Sequence, residues 1–454
     1  MLLIAAGVIC VAVLLVLFLV NRHQEQEFQK QLELGYRYLD QGNYEEAILA
    51  FKAAIDIRPK NGESYEGLAN AYLELGDIDS ALDALENGAD RAQDKGLKEW
   101  LAAMQSMSGT ATLQGTVLEY LPGGGSAPLA GASIRIYAAE IRESRLLRVA
   151  TTDLNGAFHL TDLGSGTVTL HVEAEGHLEL VTTETLLADT ANYTELYLLI
   201  PTGESEESNY NGAVQSSNFR ASVTNAINGE YVPGAEVRLR QGWNNTDGTL
   251  ATNDVVIADD YGYVYVQDLN IGYYTAEIRA DGFITSYHNV SIVPQEFSTS
   301  WSLTISPRLA EGETRIVLTW GELPRDLDAH LYNSDFHVYY GNHNYYQNGE
   351  VLAGLDWDDR SGYGPETITV YQSLSNDCTY YVRDFTNGGY SDSTQLSASG
   401  ATVRVYQTDG LVATFHVPTG FAGYMWNVFT LTADGSIIPI NTIGSDDIME
   451  NYYW

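Results

Sequence analysis

The period of the apolar pattern changes once along this chain, near Ser108, and that change most limits what it can fold into. Upstream, apolar residues recur at helical spacing, as in Leu97, Trp100, Leu101 and Met104. Downstream, side chains alternate, as in Thr167-Val168-Thr169-Leu170-His171-Val172, and glycines break the runs. The fold class is expected to switch there from helices to strands. The 454 residues also exceed one ordinary domain, since roughly 150 residues per domain gives about three or more. The expected architecture is multidomain: an N-terminal transmembrane helix, a short α-helical array, then three tandem all-β sandwich modules.

Charge removes one class of partner. With 23 basic and 60 acidic residues the net charge is −37, which repels a phosphate backbone, so nucleic acid is not an expected partner. The two cysteines, Cys10 and Cys378, lie in distant segments and leave no internal disulfide framework or zinc-thiolate cluster. The folds must stand on burial. The 31 tyrosines and 42 glycines fit turn-rich β structure.

From Met1 to Val20 there is neither charge nor proline. At about 1.5 Å per residue such a run reaches about 30 Å, the hydrocarbon thickness of a bilayer. Leu17-Phe18-Leu19-Val20 leads straight into Asn21 and Arg22 without the small residues of a cleavage site, which favours an uncleaved anchor over residues 1–20. Ile9 stands before Cys10 where a lipoprotein site needs a small residue, so lipidation is not expected. Arg22 and Lys30 follow the segment and by themselves point the bulk of the chain inward. The modules described below favour the other side. The expectation is a single pass in the cell membrane with most of the chain extracellular.

Between Phe28 and Asn61, the residues Leu34-Gly35, Tyr38, Gly42, Tyr44, Ala47, Phe51, Ala54 and Pro59 fall on one frame. That frame, of roughly 34 residues, resembles the tetratricopeptide repeat. The physics agrees: Gly35 and Ala47 are small where two antiparallel helices cross, Tyr38 and Phe51 fill the space between them, and Pro59 stops the second helix. A looser copy follows over 62–95, with Tyr65, Leu68-Ala69, Tyr72, Gly76, Ala81 and Leu85, but Gly88 and Gln93 stand where the last alanine and the proline belong. The stripe from Leu97 to Met104 suits a capping helix, which makes 28–107 one array. The resemblance implies a protein or peptide partner, with Tyr38, Tyr44, Tyr65 and Tyr72 as candidate contacts. A plain spacer is the other reading.

The next two modules, 109–201 and 209–307, resemble each other. The first carries Gly131-Ala132, Asp153, Asn155-Gly156, Phe158, Leu163, Gly166 and Gly176-His177; the second carries Gly234-Ala235, Asp259, Asp260, Gly262, Val264, Leu269, Gly272 and Gly282-Phe283. The steps Gly156, Gly166, Gly176 recur as Gly262, Gly272, Gly282, the mark of an internal duplication. Both are similar to the carboxypeptidase regulatory-like β-sandwich, an accessory fold of the transthyretin type. No histidine is followed by the His-x-x-Glu spacing of a zinc peptidase, so the resemblance implies no peptidase activity. The acidic linker Gly203–Ser208 marks the boundary and suggests separate beads. No lysine follows Lys98, which rules out Lys-Asn isopeptide crosslinks in the β modules.

Over 309–454, the segments Leu318-Thr319-Trp320, Asp326-Leu327-Asp328-Ala329-His330-Leu331, Leu355-Asp356-Trp357-Asp358-Asp359, Gly362-Tyr363-Gly364-Pro365-Glu366 and Trp426-Asn427-Val428-Phe429 resemble the YfaP-like family of bacterial envelope domains. That implies a β-sandwich and no defined chemistry. Alternation places Asp326, Asp328 and His330 on one strand face, and Asp356 with Asp358 on one face around Trp357. If these segments are neighbours, the carboxylates crowd. A hard cation such as Ca²⁺, raised carboxylate pKa values, hydrogen-bonded turns or a ligand-contacting acid patch would each relieve that. The candidate metal set is Asp326, Asp328, Asp356, Asp358 and Asp359. His330 and His337 read as solvent-facing strand residues rather than transition-metal ligands. Tyr339, Tyr340, Tyr345, Tyr346 and Tyr363 are candidate stacking residues for a cell-wall or environmental glycan, against the alternative of core and edge positions. With Gly-x-Ser-x-Gly, His-Glu-x-x-His, Cys-x-x-Cys and phosphate-loop motifs all missing, no enzyme is expected.

Overall fold

The computed structural model describes residues 2–121, 126–138, 145–188, 191–198, 216–247, 250, 255–294, 300–408 and 410–445, with the side chains of 2–14, 191 and 197 outside that set. The acidic linker Gly203–Ser208 and the C-terminal Asn451–Trp454 therefore lie outside the described residues. The chain divides into two compact units, one of residues 1–109, 135–150 and 162–169, the other of 110–134, 151–161 and 170–454.

The first unit holds the helices α1 (Leu2–Asp40), α2 (Tyr44–Ile57), α3 (Gly62–Glu74), α4 (Ile78–Ala92) and α5 (Lys95–Ser106). Polar side chains start three of them. Asn61 accepts from the Ser64 amide at 2.9 Å, Asp77 from that of Ser80 at 3.1 Å and Asp94 from that of Leu97 at 3.1 Å. Gly42 and Gly76, one repeat apart, both take positive φ, 72° and 75°, in the turns between helices. Phe51 is fully buried, and Gly35 and Gly67 make room for it: an added Cβ would lie 2.7 Å and 2.3 Å from its ring. Tyr36 packs edge-on against Phe51 at 5.1 Å, whereas Tyr38 is only half-buried. Helix α1 is continuous, so the first repeat helix and the expected anchor share one rod of 39 residues, about 58 Å long. Among the described residues no helix is long and apolar enough to cross a membrane. The anchor expected over 1–20 falls largely on side chains outside the described set; its described part, Leu15 to Val20, is exposed.

The first β module has strands β1 (Ala111–Tyr120), β2 (Ser126–Pro128), β3 (Ser133–Ala138), β4 (Leu146–Thr151), β5 (Ala157–Leu163), β6 (Gly166–Glu173), β7 (Leu180–Leu186) and β8 (Ala191–Leu198), of which the first unit includes only residues 135–150 and 162–169. Within the unit, the Trp100 indole of α5 donates to the Leu146 carbonyl at 2.8 Å, Arg145 lies over the Trp100 ring at 5.4 Å and pairs with Glu66, and Arg135 pairs with Glu74 at 2.9 Å. The capping helix thus turns its large aromatic side chain onto strand residues. The sheets run β2-β1-β5 with β8 beside β1, and β4-β3-β6-β7.

The second β module repeats this plan with β9 (Ser216–Asn225), β10 (Glu236–Gln241), β11 (Val256–Ile257), β12 (Tyr263–Asn270), β13 (Gly272–Arg279), β14 (Ser286–Ile292) and β15 (Trp301–Ile305). In each module the first and last strands pair in parallel, β1 with β8 and β9 with β15. Asp153 accepts from the amides of Asn155 and Ala157, and Asp259 from those of Tyr261 and Tyr263. The turn glycines Gly156 and Gly262 have matching φ, 70° and 74°, and so do Asp162 and Asp268, 56° and 57°. The duplication therefore extends to backbone conformation. One core spans both sheets, from Phe219 and Val223 to Ile278 and Ile305.

The last module is a sandwich of a six-stranded sheet, in order β19-β20-β21-β16-β23-β24, and a five-stranded sheet, β18-β17-β22-β25-β26. Its strands are β16 (Thr314–Thr319), β17 (Leu327–Tyr332), β18 (His337–Val338), β19 (Asn344–Gln347), β20 (Glu350–Trp357), β21 (Glu366–Val370), β22 (Cys378–Asp384), β23 (Thr402–Gln407), β24 (Gly410–His416), β25 (Met425–Leu431) and β26 (Ile437–Gly444). Leu327, Ala329 and Leu331 enter the shared core with Trp426, Val428 and Ile368, as their alternation requires.

The expectation of separate beads is corrected. Within the second unit, Asn244 donates to Thr182 at 3.0 Å and to the Thr183 carbonyl at 2.7 Å, Tyr273 donates to the Leu178 carbonyl at 3.1 Å, and Thr116 meets Thr419. Arg315, buried, bridges to Ser306 at 3.0 Å and the Pro307 carbonyl at 2.7 Å, while Ala226, Val317 and Tyr406 form a small apolar cluster with Ile284 and Leu309. Side chains of complementary shape and polarity replace the freedom of a string of beads.

Candidate functional site

Strand β17 puts Asp328 and His330 on the face opposite Leu327, Ala329 and Leu331, but that face is also covered. Asp328 is 2% exposed and His330 1%. His330 stacks on Tyr381 at 4.4 Å and on Tyr339 at 5.4 Å, and meets His337 nitrogen to nitrogen at 2.9 Å. The solvent-facing reading of His330 is thus overturned by the aromatic layer above it. Burial, followed by the neighbouring His337, drives the His330 pKa well below its ordinary value, and burial lowers that of His337 to about 4. Both are neutral rings.

The acidic segments do meet, with a changed membership. Oxygens of Asp326, Asp328 and Asp358 all lie within 4.8 Å of one another. Two full charges at about 5 Å repel by about 3 kcal/mol at an effective dielectric near 20. Asp356 is elsewhere: Thr369 and Tyr371 donate to it at 2.5 Å and 2.6 Å. A register shift between Leu355 and Trp357 in the β20–β21 pairing breaks the alternation that would have placed Asp356 beside Asp358. Asp359 spends an oxygen on the turn, accepting from the Ser361 amide at 2.6 Å and its hydroxyl at 2.7 Å. Asp356 and Asp359 therefore leave the candidate metal set.

Sequence spacing does not reveal the fourth carboxyl. Glu366, on β21 in the facing sheet, is fully buried and accepts from the Ala329 amide at 2.6 Å through Oε1. Asp384 also sits close to Asp328, but Asn387 donates to both its oxygens. Burial first, then Asp358, pushes the Asp326 carboxyl up to about 6; burial, then Asp326, pushes Asp328 up to about 8; burial pushes Glu366 well above the usual range. An open pocket of about 570 Å³ borders Asp326 and Asp358, with Arg325, Trp357, Arg360 and Phe385 around it.

The candidate glycan tyrosines divide among several places. Tyr339 belongs to the histidine stack, and Tyr340 packs edge-on against Phe385 at 5.5 Å and stays exposed. Tyr345 lies flat on Phe336 at 4.2 Å against the core, Tyr346 is exposed beside it on β19, and Tyr363 is exposed in a loop at φ 70°. They form no single platform among the described contacts. Of the repeat tyrosines, Tyr38, Tyr44 and Tyr72 are half-buried, with Tyr44 donating to Glu74 at 3.2 Å and Lys52 over the Tyr72 ring at 5.3 Å. Tyr65 is 3% exposed and donates to the Pro59 carbonyl at 3.1 Å, so it is a core residue and not a contact.

Residues 38–106 match the tetratricopeptide repeat family, and that segment is a tetratricopeptide array. No curated protein matches the chain. Among solved structures, the shaft pilin SpaA from Lactobacillus rhamnosus GG aligns at 14% identity over 44% of this chain and 99% of that chain, with a TM-score of 0.17. A streptococcal ancillary pilin aligns at 15% over 43% and 62%, with a TM-score of 0.18. The Bacillus anthracis TIE protein aligns at 14% over 61% and 45%, with a TM-score of 0.17. Likenesses this loose carry no argument about function.

Proposed function

We propose that this chain is a non-catalytic, membrane-anchored protein of the bacterial cell envelope whose helical repeats hold a protein partner. The observation that carries this reading is the tetratricopeptide match over 38–106, on helices that pack in sequence as a repeat array does. Stacked repeats offer extended surfaces suited to partners. In this reading residues 1–20 are the tether, crossing once, and the bulk of the chain is extracellular. The uncharged run Met1–Val20 and the exposed apolar side chains Leu15–Val20 support the tether. The two carboxypeptidase regulatory-like modules and the YfaP-like module form the display portion.

A photo-crosslinking amino acid placed at Tyr44 or Tyr72 of the full chain in its own cells tests the contact, with Leu154 as the control position because it is exposed in a β turn. One discrete adduct from the repeat positions and none from Leu154 is expected. Equal labelling from all three reduces the array to a spacer. Protease added to intact cells should remove the β modules, and complete protection would reverse the orientation. A carbohydrate ligand is the second reading, favoured by exposed Phe385 at the acidic pocket and exposed Tyr340 packed edge-on against it. It requires a glycan retained by the wild-type chain and lost with Tyr340→Ala.

A further inference from the structure

We propose that the last sandwich holds one calcium-type divalent cation, ligated by Asp326, Asp328 and Asp358, with the buried carboxyl of Glu366 on the facing sheet outside the ligand shell. Three carboxylate oxygens within 4.8 Å of one another span a distance that a single ion can bridge, because Ca²⁺–oxygen contacts run about 2.3–2.6 Å. Proximity among acids is not by itself a site. The independent observation is Asp328, which is only 2% exposed and leaves its Oδ2 without a hydrogen-bond donor among the described residues, joined on the facing sheet by the fully buried Glu366. Its Oε1 is taken by the Ala329 amide, while its Oε2 has no hydrogen-bond donor among the described residues. The charges acting on it are those of Asp328, Asp358 and Asp326, and its oxygens lie outside the 4.8 Å group.

The cluster itself shows the same deficit. Asp326 Oδ1, Asp328 Oδ2 and Asp358 Oδ1 are each buried without a donor among the described residues, which makes three orphaned acceptors from three neighbouring residues. Buried polar atoms in folded proteins are overwhelmingly partnered, so a group of orphans calls for a shared partner. The other acids here are served by protein donors: Thr369 and Tyr371 for Asp356, Ser361 for Asp359 and Asn387 for Asp384. A proton can join at most two oxygens. A hard cation taking about 6–8 oxygen ligands joins all three and leaves positions for water. The open pocket bordered by Asp326 and Asp358 is the path for that water and for the ion. The donor set contains only carboxylate oxygens, with the neutral His330–His337 pair engaged with each other, and this selects a hard ion over Zn²⁺ or Cu²⁺.

The test uses the full chain in detergent. Stripped with chelator and titrated with CaCl2 by calorimetry, it should take up one equivalent, and Tb³⁺ bound at the same site should luminesce through Trp357, which lines the pocket. Asp328→Asn and Asp358→Asn should each abolish uptake, Glu366→Gln should weaken it by about 10–100-fold, and Asp356→Asn should leave it unchanged. Asp328→Asn should also melt higher than the wild type in chelator, because it removes a carboxyl that folding must bury beside other acids, which separates loss of binding from loss of folding. No saturable uptake, uptake that survives Asp328→Asn with Asp358→Asn, equal loss with Asp356→Asn, or preference for Mg²⁺ over Ca²⁺ would each overturn the proposal.

Discussion

Asp328 sets the sign of the pH response at the residue scale. Its ordinary pKa is 3.8 and its folded value is about 8, so between those values the folded chain keeps a proton that the unfolded chain has released. Stability from this group is complete below the ordinary value and is lost as pH rises through about 8. The buried histidines run the opposite way in a lower window: His288, His337 and His416, lowered to about 3, 4 and 4, add stability as pH rises toward 6.5 and then stop. Glu184, pushed up to about 7 by burial, adds to the acid side. Asp328 is faced by Asp326, Asp358, Asp384 and Arg383. In chelator, the melting temperature of the full chain should fall between about pH 6.5 and 8.5, and Asp328→Asn should flatten that slope. Calorimetry on both chains decides it, and an equal slope would remove Asp328 as the cause. Asp326, Asp328 and Asp358 were legible in the sequence as crowding acids. Asp356 was misplaced because alternation assumes an unbroken ladder, and the bulge after Leu355 breaks it.

At the scale of elements, the helical frame was the most legible feature, because a repeat must reuse the same small and large residues wherever its helices cross. The departures have local causes. Gly88 stands where the frame wants alanine, and an added Cβ there would lie 2.7 Å from both Leu97 and Tyr65. Helix propensity favours alanine by about 1 kcal/mol, but overpacking costs about 1–3 kcal/mol. Gly88→Ala should therefore lower the urea midpoint of the 222 nm helical signal, and a raised midpoint would show that Tyr65 and Leu97 yield easily. Gln93, in place of the frame's proline, ends α4 in the left-handed region at φ 55°. The capping helix was visible as an apolar stripe, but its anchorage through Trp100 to the Leu146 carbonyl was not, since that partner belongs to a different fold class.

For the molecule as a whole, the β modules of the second unit are joined by buried polar and apolar contacts. Arg315 donates to Ser306, the Pro307 carbonyl and Thr369 from a position only 6% exposed. Hydrogen bonds to a charged group contribute about 1.5–3 kcal/mol each when buried partners depend on them. Arg315→Met should therefore split one cooperative calorimetric transition of the second and third modules into two, by loosening their junction while leaving each core intact. A single unsplit transition at lower temperature would place Arg315 in the core of the last module alone. Gly229 belongs to the same junction: at φ 65° its added Cβ would sit 2.6 Å from the Trp357 indole, so the residue that lines the acidic pocket also touches the second module.

Residue type and period decided where helices give way to strands, which glycines and aspartates make the duplicated turns, and which acids are available to meet. Each of these is local, because a period or a turn needs only a few consecutive residues. Tertiary structure alone decided that Glu366 is buried on the opposite sheet and accepts from the Ala329 amide, that Asp356 is diverted to Thr369 and Tyr371, that His330 is buried under tyrosine, and that the modules interlock. Those outcomes depend on pairing register and on which surfaces close over which, and segments far apart in the chain settle both only when they pack.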